Sequence, residues 1–436
     1  MQKYNQKERR DIMIEIRSIF RVFILLFVLN MASPSFLHSQ ELDLSRNFGW
    51  ASQTRGGYGG QIVKVTNLNT SGPGSFLNAL KVKGRRIIVF EVSGDIDMQG
   101  KYWVITDPYL TIAGQTAPSP GITLKNGSLR VYTHDVIIQH IRIRTGAGKV
   151  NRSLDGLTTD RGAYNIIIDH CSLMWAIDEN LSASGPSFKG NTPDEWRQNT
   201  SHNITFSNNI IGEGLSKSVH TKGEHSMGTL VNNNVTNILI MRNLYTNNND
   251  RNPLFAGGVE GIYLNNYIYN PGIRSIWHAI GENQWKGKVK QITKLSVIGN
   301  ILQKGRDTQP DVHFFLAGKG PLNLYLEDNK VYDVNGRPSN TIYKGDQRYL
   351  DKNRKVWTSG LITLKAENLK DYILENVGAR PWDRDSEDQR IINDVRGKKG
   401  HIISSEREVM LNIKAKSNYS KFVESDWDMK TLKKKR

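Results

Sequence analysis

Apolar and polar residues alternate in short runs that return along the middle of the chain. They are Asp135-Val-Ile-Ile-Gln-His-Ile-Arg142, Asn165-Ile-Ile-Ile-Asp-His-Cys-Ser172, Asn203-Ile-Thr-Phe-Ser-Asn-Asn-Ile210, Asn237-Ile-Leu-Ile-Met-Arg-Asn-Leu244, Gly261-Ile-Tyr-Leu-Asn-Asn-Tyr-Ile268, Lys294-Leu-Ser-Val-Ile-Gly-Asn-Ile301 and Asn323-Leu-Tyr-Leu-Glu-Asp-Asn-Lys330. A period of two predicts strands. The starts lie 30, 38, 34, 24, 33 and 29 residues apart. One coil of two or three short strands and their turns needs roughly twenty-odd residues. The shortest spacing is therefore a bare coil, and the longer ones carry inserted loops. Long amphipathic helices between the runs are absent, which excludes a strand–helix barrel. A propeller would need four antiparallel strands per blade and more even spacing. The pattern predicts an all-β solenoid, a parallel β-helix.

Asparagine stands six residues after the start of four runs, at Asn209, Asn243, Asn300 and Asn329. Equivalent side chains of a solenoid lie above one another, so these are expected to form a hydrogen-bonded ladder. Both flanks read differently. Residues 45–130 are rich in turns, as in Gly56-Gly-Tyr-Gly-Gly60, and Ser75-Phe-Leu-Asn-Ala-Leu-Lys81 predicts a short helix closing the open end of the solenoid. The glycine cluster lacks the strand–GxxxxGK–helix setting of a phosphate loop. The β-helix with its cap is assigned to residues 41–339, and the more charged residues 340–436 to an extension wrapping the outside and ending in a solvated basic tail.

Composition narrows the partners. Hydrophobic residues make up 38% and charged residues 23% of the 436, an ordinary globular balance. The net charge is +17, and residues 1–40 contribute six basic and three acidic groups, so a chain cut there keeps +14. Such a surface attracts polyanions, but no nucleic-acid-binding module is recognisable. The single cysteine, Cys171, cannot pair within the chain and sits in an apolar strand, as a buried filler would. Arg17 and Arg21 precede the apolar run Val22-Phe-Ile-Leu-Leu-Phe-Val28, followed by Ala32-Ser-Pro-Ser35. This reads as a signal peptide cleaved near residue 40, too short to span a bilayer comfortably. A secreted or periplasmic monomer without stable membrane insertion is expected.

The repeat also places chemistry. Asp178 stands 13 residues after Asn165, Lys217 14 after Asn203, Arg251 14 after Asn237 and Arg274 13 after Gly261. Strands stack at about 4.8 Å, so these four are expected along one edge: an acid, then three cations. The row suits a groove for an acidic chain, or is the polar filling of any exposed edge. Asp155 and the pair Asp178-Glu179 offer carboxylates from the start and end of one coil, an oxygen-only donor set that suits calcium rather than zinc. No HExxH, His/Cys pair spacing or Gly-x-Ser-x-Gly occurs. Asp169-His170 lies inside an apolar strand and is read as a buried hydrogen-bonded pair. His220 and His225 fall near the groove as candidates for substrate contact.

Asn165–Ser172 followed by Trp175-Ala-Ile-Asp-Glu-Asn-Leu-Ser182 and Asp250-Arg-Asn-Pro253 resembles the pectate lyase superfamily of polysaccharide lyases. So do Gly59-Gly-Gln-Ile-Val-Lys-Val-Thr-Asn-Leu-Asn69, Ser71-Gly-Pro-Gly-Ser75 and Leu110-Thr-Ile-Ala-Gly-Gln-Thr116, while Glu375–Asp385 is similar to a segment of Bacteroidetes-type members. The resemblance covers roughly residues 45–395. It implies a right-handed, single-stranded parallel β-helix that cleaves de-esterified pectate, with Ca2+ as cofactor, by β-elimination. Asp155 and Asp178 match the family's first two calcium ligands. The third falls on Ser182, so Glu179 or a substrate carboxylate would complete the shell. Arg251 matches the catalytic arginine and Lys217 the substrate-binding lysine. The second arginine falls on Ala256, and its role would pass to Arg274. Arginine as a base requires a lowered pKa, so activity is expected to be best at alkaline pH. Two other readings stay open: a polygalacturonase-type hydrolase, which needs a pair of acids, and a non-catalytic β-helix that binds acidic polysaccharide.

Overall fold

Every one of the seven runs forms a strand of one parallel sheet, and each is followed by a sharp turn into a second. The computed structural model describes residues 48–148, 153–220, 223–411 and 417–435; the leader expected at residues 1–40 lies outside them. Ten strands stack in the first sheet, from Gln61–Val65 through His134–Gln139, Tyr164–Asp169, His202–Ser207, Thr236–Met241, Glu260–Leu264 and Thr293–Ile298 to Leu322–Glu327. A second face carries the short strands that follow, such as Ser172–Met174, Ile210–Gly212 and Leu244–Thr246. A third carries Leu157–Thr159, Glu179–Ala183, Met227–Val231, Leu254–Phe255 and Ile276–His278. The long strand Ile122–Val131 pairs with members of both, joining them into one sixteen-stranded sheet. The pairing of successive coils is parallel throughout. The chain is a parallel β-helix.

Alternation explains the core. Ile138, Ile168, Phe206, Ile240, Tyr263 and Val297 occupy one register position in successive strands and point inward, fully buried. The residue before each in the chain points the other way. The turn from first to second sheet needs one residue in the left-handed region, filled by Asn208, Arg242, Asn265, Gly299 and Asp328 with φ between 47° and 66°. Asn, Asp and Gly tolerate that region at least cost.

The next residue is the ladder asparagine. Asn209 donates from Nδ2 to Asn243 Oδ1 at 2.9 Å, Asn243 to Asn266 at 2.9 Å, Asn266 to Asn300 at 3.2 Å and Asn300 to Asn329 at 2.9 Å. Asn266 is a rung that counting from Gly261 misses. Gly261 pairs with Ile238 and Glu260 with Lys294, so this coil begins one residue earlier, at Glu260. Cys171 holds the rung above Asn209, whose Oδ1 accepts the Cys171 N–H at 2.8 Å; burial pushes its thiol up to about 12. Asn243→Ala is expected to destabilise the protein by about 3 kcal/mol, because the backbone and amide donors of Asn209 both lose their acceptor in the dry interior. Urea unfolding measures this, and a loss under about 1 kcal/mol would show the ladder to be incidental.

The first coil of the core is covered, and so is much of the outside. Ser75 caps the helix Phe76–Lys81, accepting the Asn78 N–H at 3.3 Å. Phe76 packs on Phe90 and Trp103 with ring centroids 5.5 and 6.1 Å apart, closing the first coil. After Tyr343–Lys344 the chain turns back along the outside. Helices Leu369–Asn376 and Ser386–Arg396 bury Leu369, Ile373, Ile391 and Ile392 on Ile210, Leu244 and Tyr267 of the second face. Buried Asp388 anchors them, accepting from Arg142 Nε at 3.1 Å and Ser172 Oγ at 2.7 Å. The last described segment reaches the first coil, where Phe422 and Leu432 pack on Ile87 and Val89 and the Phe422 N–H donates to Glu91 at 2.9 Å. Among the described residues no helix is long and apolar enough to cross a membrane.

Candidate active site

Four consecutive coils pass from the second face to the third through the turns 175–178, 213–226, 247–253 and 270–275. The strands that follow are in register, Ser182 on Leu230, Leu230 on Leu254 and Leu254 on Trp277. Three residues before these lie Glu179, Met227, Arg251 and Arg274. Glu179 and the two arginines therefore share an edge, and Asp178, the acid that counting from Asn165 places there, lies one residue before the column. Once its coil starts at Glu260, Arg274 has the same offset as Arg251.

Lys217 does not share that column. The turn 213–226 is an insertion that leaves the coil, and counting through it overshoots; Met227 takes the place in the stack. Lys217 is exposed on the insertion, with its backbone N–H 3.4 Å from Ser404 Oγ. The base of the loop is fixed by Glu213, which is buried and accepts from Arg390 at 2.7 and 2.8 Å and from Trp175 Nε1 at 2.9 Å.

Beneath the edge runs a second file of buried amides that the sequence reading missed. Asn180 Nδ2 donates to Asn248 Oδ1 and Asn248 Nδ2 to Asn252 Oδ1, each at 3.1 Å, and Asn252 Nδ2 donates to the Arg274 carbonyl at 3.2 Å. These bonds tie together the turns that carry Asp178, Arg251 and Arg274. Arg251 has φ 57°, a conformation that costs a non-glycine residue on the order of 1 kcal/mol and clusters at functional sites. Asp250 Oδ1 accepts the Arg251 N–H at 2.6 Å.

The Arg251 guanidinium reaches across to Glu179 in an ion pair. Asp155, Asp178 and Glu179 each present a carboxylate oxygen within 4.8 Å of the others. Burial, above all, and then the Asp178 charge push the Asp155 carboxyl up to about 6, although the Thr158 hydroxyl donates to it at 2.5 Å. Burial likewise lowers the Arg251 guanidinium from its ordinary value, with Arg274 adding to the effect and the Asp178 and Asp155 charges opposing it. Arg274 is held from behind by Asp250, with Nε 3.0 Å from Oδ1 and Nη2 on Oδ2, and it lies over the Trp277 ring at 4.0 Å. Asp250 and Trp277 were not singled out in the sequence. The aspartate's place directly before Arg251 was the available signal.

His220 and His225 come closer to the centre than their scattered positions suggest. Their rings stack at 3.5 Å, and their Nε2 atoms lie 3.4 and 3.7 Å from the two carboxylate oxygens of Asp178. Asp169 and His170 stay apart from this edge. His170 Nδ1 lies 2.7 Å from Asp169, which also accepts from Ser207 and Asn208, and that carboxyl is held far below its ordinary value chiefly by the histidine, against the opposing effect of burial.

Solved structures share this architecture. The major allergen of cedar pollen, Jun a 1, superposes with a TM-score of 0.53 at 16% identity, covering 76% of this chain and 92% of its own. A pectate lyase from Bacillus sp. N165, solved with trigalacturonate, superposes with a TM-score of 0.51 at 14% identity, covering 76% and 98%. At such identities the likeness is one of fold, and the fold is the β-helix of pectate lyases. No family model matches the chain. In sequence it is 32% identical over 374 residues to the "Probable pectate lyase C" of Aspergillus flavus, spanning 83% of this chain and 79% of that one. It is also 32% identical over 374 residues to the protein of that name from Emericella nidulans, spanning 82% and 77%. The chain belongs to the pectate lyase family.

Proposed function

We propose that this protein is an exported lyase that cleaves de-esterified pectate, polygalacturonate, by calcium-assisted β-elimination, releasing unsaturated oligogalacturonides. The observation that carries the reading is Arg251, desolvated on a left-handed turn and set against three carboxylates on the same edge. The leader at residues 1–40 supplies the export.

The acidic trio suits calcium because its donors are all oxygen and Asp155 is short of positive charge. Asp155, Asp178 and Glu179 would hold the ion, which when bound supplies positive charge to a uronate carboxylate and so favours the enolate. Arg251 takes the proton from C5. The electron pair left behind becomes the C4–C5 double bond as the C4–oxygen bond breaks, and the departing oxygen takes a proton from water. For this Arg251 must begin neutral: its burial and the Arg274 charge act in that direction, while the Asp178 and Asp155 charges act against it until a bound cation offsets them. Arg274, braced by Asp250, and Lys217, exposed on the inserted loop, are assigned to the carboxylates of neighbouring uronates.

Polygalacturonate incubated with the mature chain is expected to gain the ultraviolet absorbance of an unsaturated uronide, to stop doing so under a calcium chelator and to resume when calcium returns. New reducing ends without that absorbance would make the protein a hydrolase. Retention of polygalacturonate with neither signal would make it a binding protein.

A further inference from the structure

The loop that carries Lys217 brings two buried histidines against an aspartate. His220 and His225 are 5% and 6% exposed, and both aim Nε2 at Asp178. His225 Nδ1 lies 3.0 Å from the Gly223 carbonyl, a partner that only an N–H can serve. In the neutral ring Nε2 is therefore a bare lone pair facing a carboxylate oxygen, which is also an acceptor. Protonation would not make a hydrogen bond of this contact, since 3.7 Å is too long. An ion between the atoms accounts for the spacing. Asp178, His220 and His225 each present a ligand atom, and these atoms all lie within 4.8 Å of one another, close enough for one ion to gather them. A backbone carbonyl holding the far ring nitrogen is also the usual second partner of a metal-bound histidine.

We infer that Asp178, His220 and His225 form a binding site for a first-row divalent transition ion such as zinc, cobalt or manganese. Two imidazoles and one carboxylate select such ions over calcium, which takes oxygen. The acidic trio includes the same aspartate, so Asp178 is common to both donor sets. A transition ion drawing on both Asp178 oxygens competes with calcium for that ligand, so it would depress any activity that needs calcium. The binding itself rests on the side chains alone and not on the lyase reading, so its test stands if that reading fails.

Metal-stripped full-length protein is titrated with Co2+ and followed by visible absorption and calorimetry. One equivalent is expected to bind, with the intensified absorption of a low-coordinate nitrogen-containing site. Asp155→Asn should leave this unchanged, while His220→Gln and His225→Asn each weaken Co2+ binding at least about tenfold. Asparagine at 225 keeps a donor for the Gly223 carbonyl while removing Nε2, and circular dichroism establishes that the variants fold. The absorption of the unaltered protein is decisive even if they do not. No Co2+ binding, the weak spectrum of an all-oxygen site, or binding lost in Asp155→Asn but kept in the histidine variants would each overturn the assignment.

Discussion

Arg251→Lys is expected to lower turnover on polygalacturonate at least about a hundredfold with little change in KM, the scale on which general-base catalysis contributes. Lysine preserves the charge, so attraction for an acidic chain and pairing with Glu179 both survive. The planar fork is lost, and with it the atom poised to receive a proton at the distance the guanidinium spans. The edge supplies no ready substitute. Arg274 is committed to Asp250 and lies on Trp277, and Lys217 stands on an insertion outside the stack. Initial rates over a range of substrate concentration separate the alternatives. A raised KM with near-normal turnover would make Arg251 a binding residue, and the base would then be sought at Arg274 or Lys217.

Replacing Asp155 and Asp178 together by asparagine is expected to abolish calcium-stimulated turnover while the β-helix remains folded. Each carboxylate contributes charge as well as an oxygen, and the amide keeps the oxygen alone. A single Asp155→Asn change carries a further signature. Burial and the Asp178 charge both work against an ionised Asp155, so removing its charge is expected to raise the thermal midpoint of the metal-free protein at neutral pH. With calcium present the order should reverse, because an ion bound to the native state stabilises it by mass action and the variant binds it less tightly. Thermal unfolding with chelator and with calcium reads both effects. If the double variant keeps full calcium-stimulated turnover, the metal acts elsewhere.

Much of the β-helix was legible because its inward positions must be apolar at a period of two, and all seven runs form first-sheet strands. The ladder was nearly so. Asn266 escapes a count that starts at Gly261, because this coil begins one residue earlier, at Glu260. The edge was legible to within a residue where turns are short: Arg251 and Arg274 lie in the column, and the acid in it is Glu179, next to the Asp178 that counting selects. It was not legible at Lys217, because periodicity stops within an insertion. Asp388 against Arg142 and Ser172 could not have been foreseen, since contacts across more than two hundred residues leave no local pattern. The two histidines were legible as candidates for substrate contact but not as metal donors, for a related reason: their spacing matches no metal motif, and the aspartate beside them lies on a different coil.

The return of the chain to Glu91 and Val89 changes what kind of object the solenoid is. A stack of coils touching only their neighbours can fray from either end, like a zipper. Here Phe422 and Leu432 are stitched to the first coil, so loosening that coil also sets free a segment from far along the chain. The outer wall of the earliest coil is finished only by a stretch that lies 331 residues further along the chain. Until that stretch docks, Ile87 and Val89 lie uncovered on the outside of a growing sheet, and a chain lacking Phe422 and Leu432 would keep that apolar strip permanently.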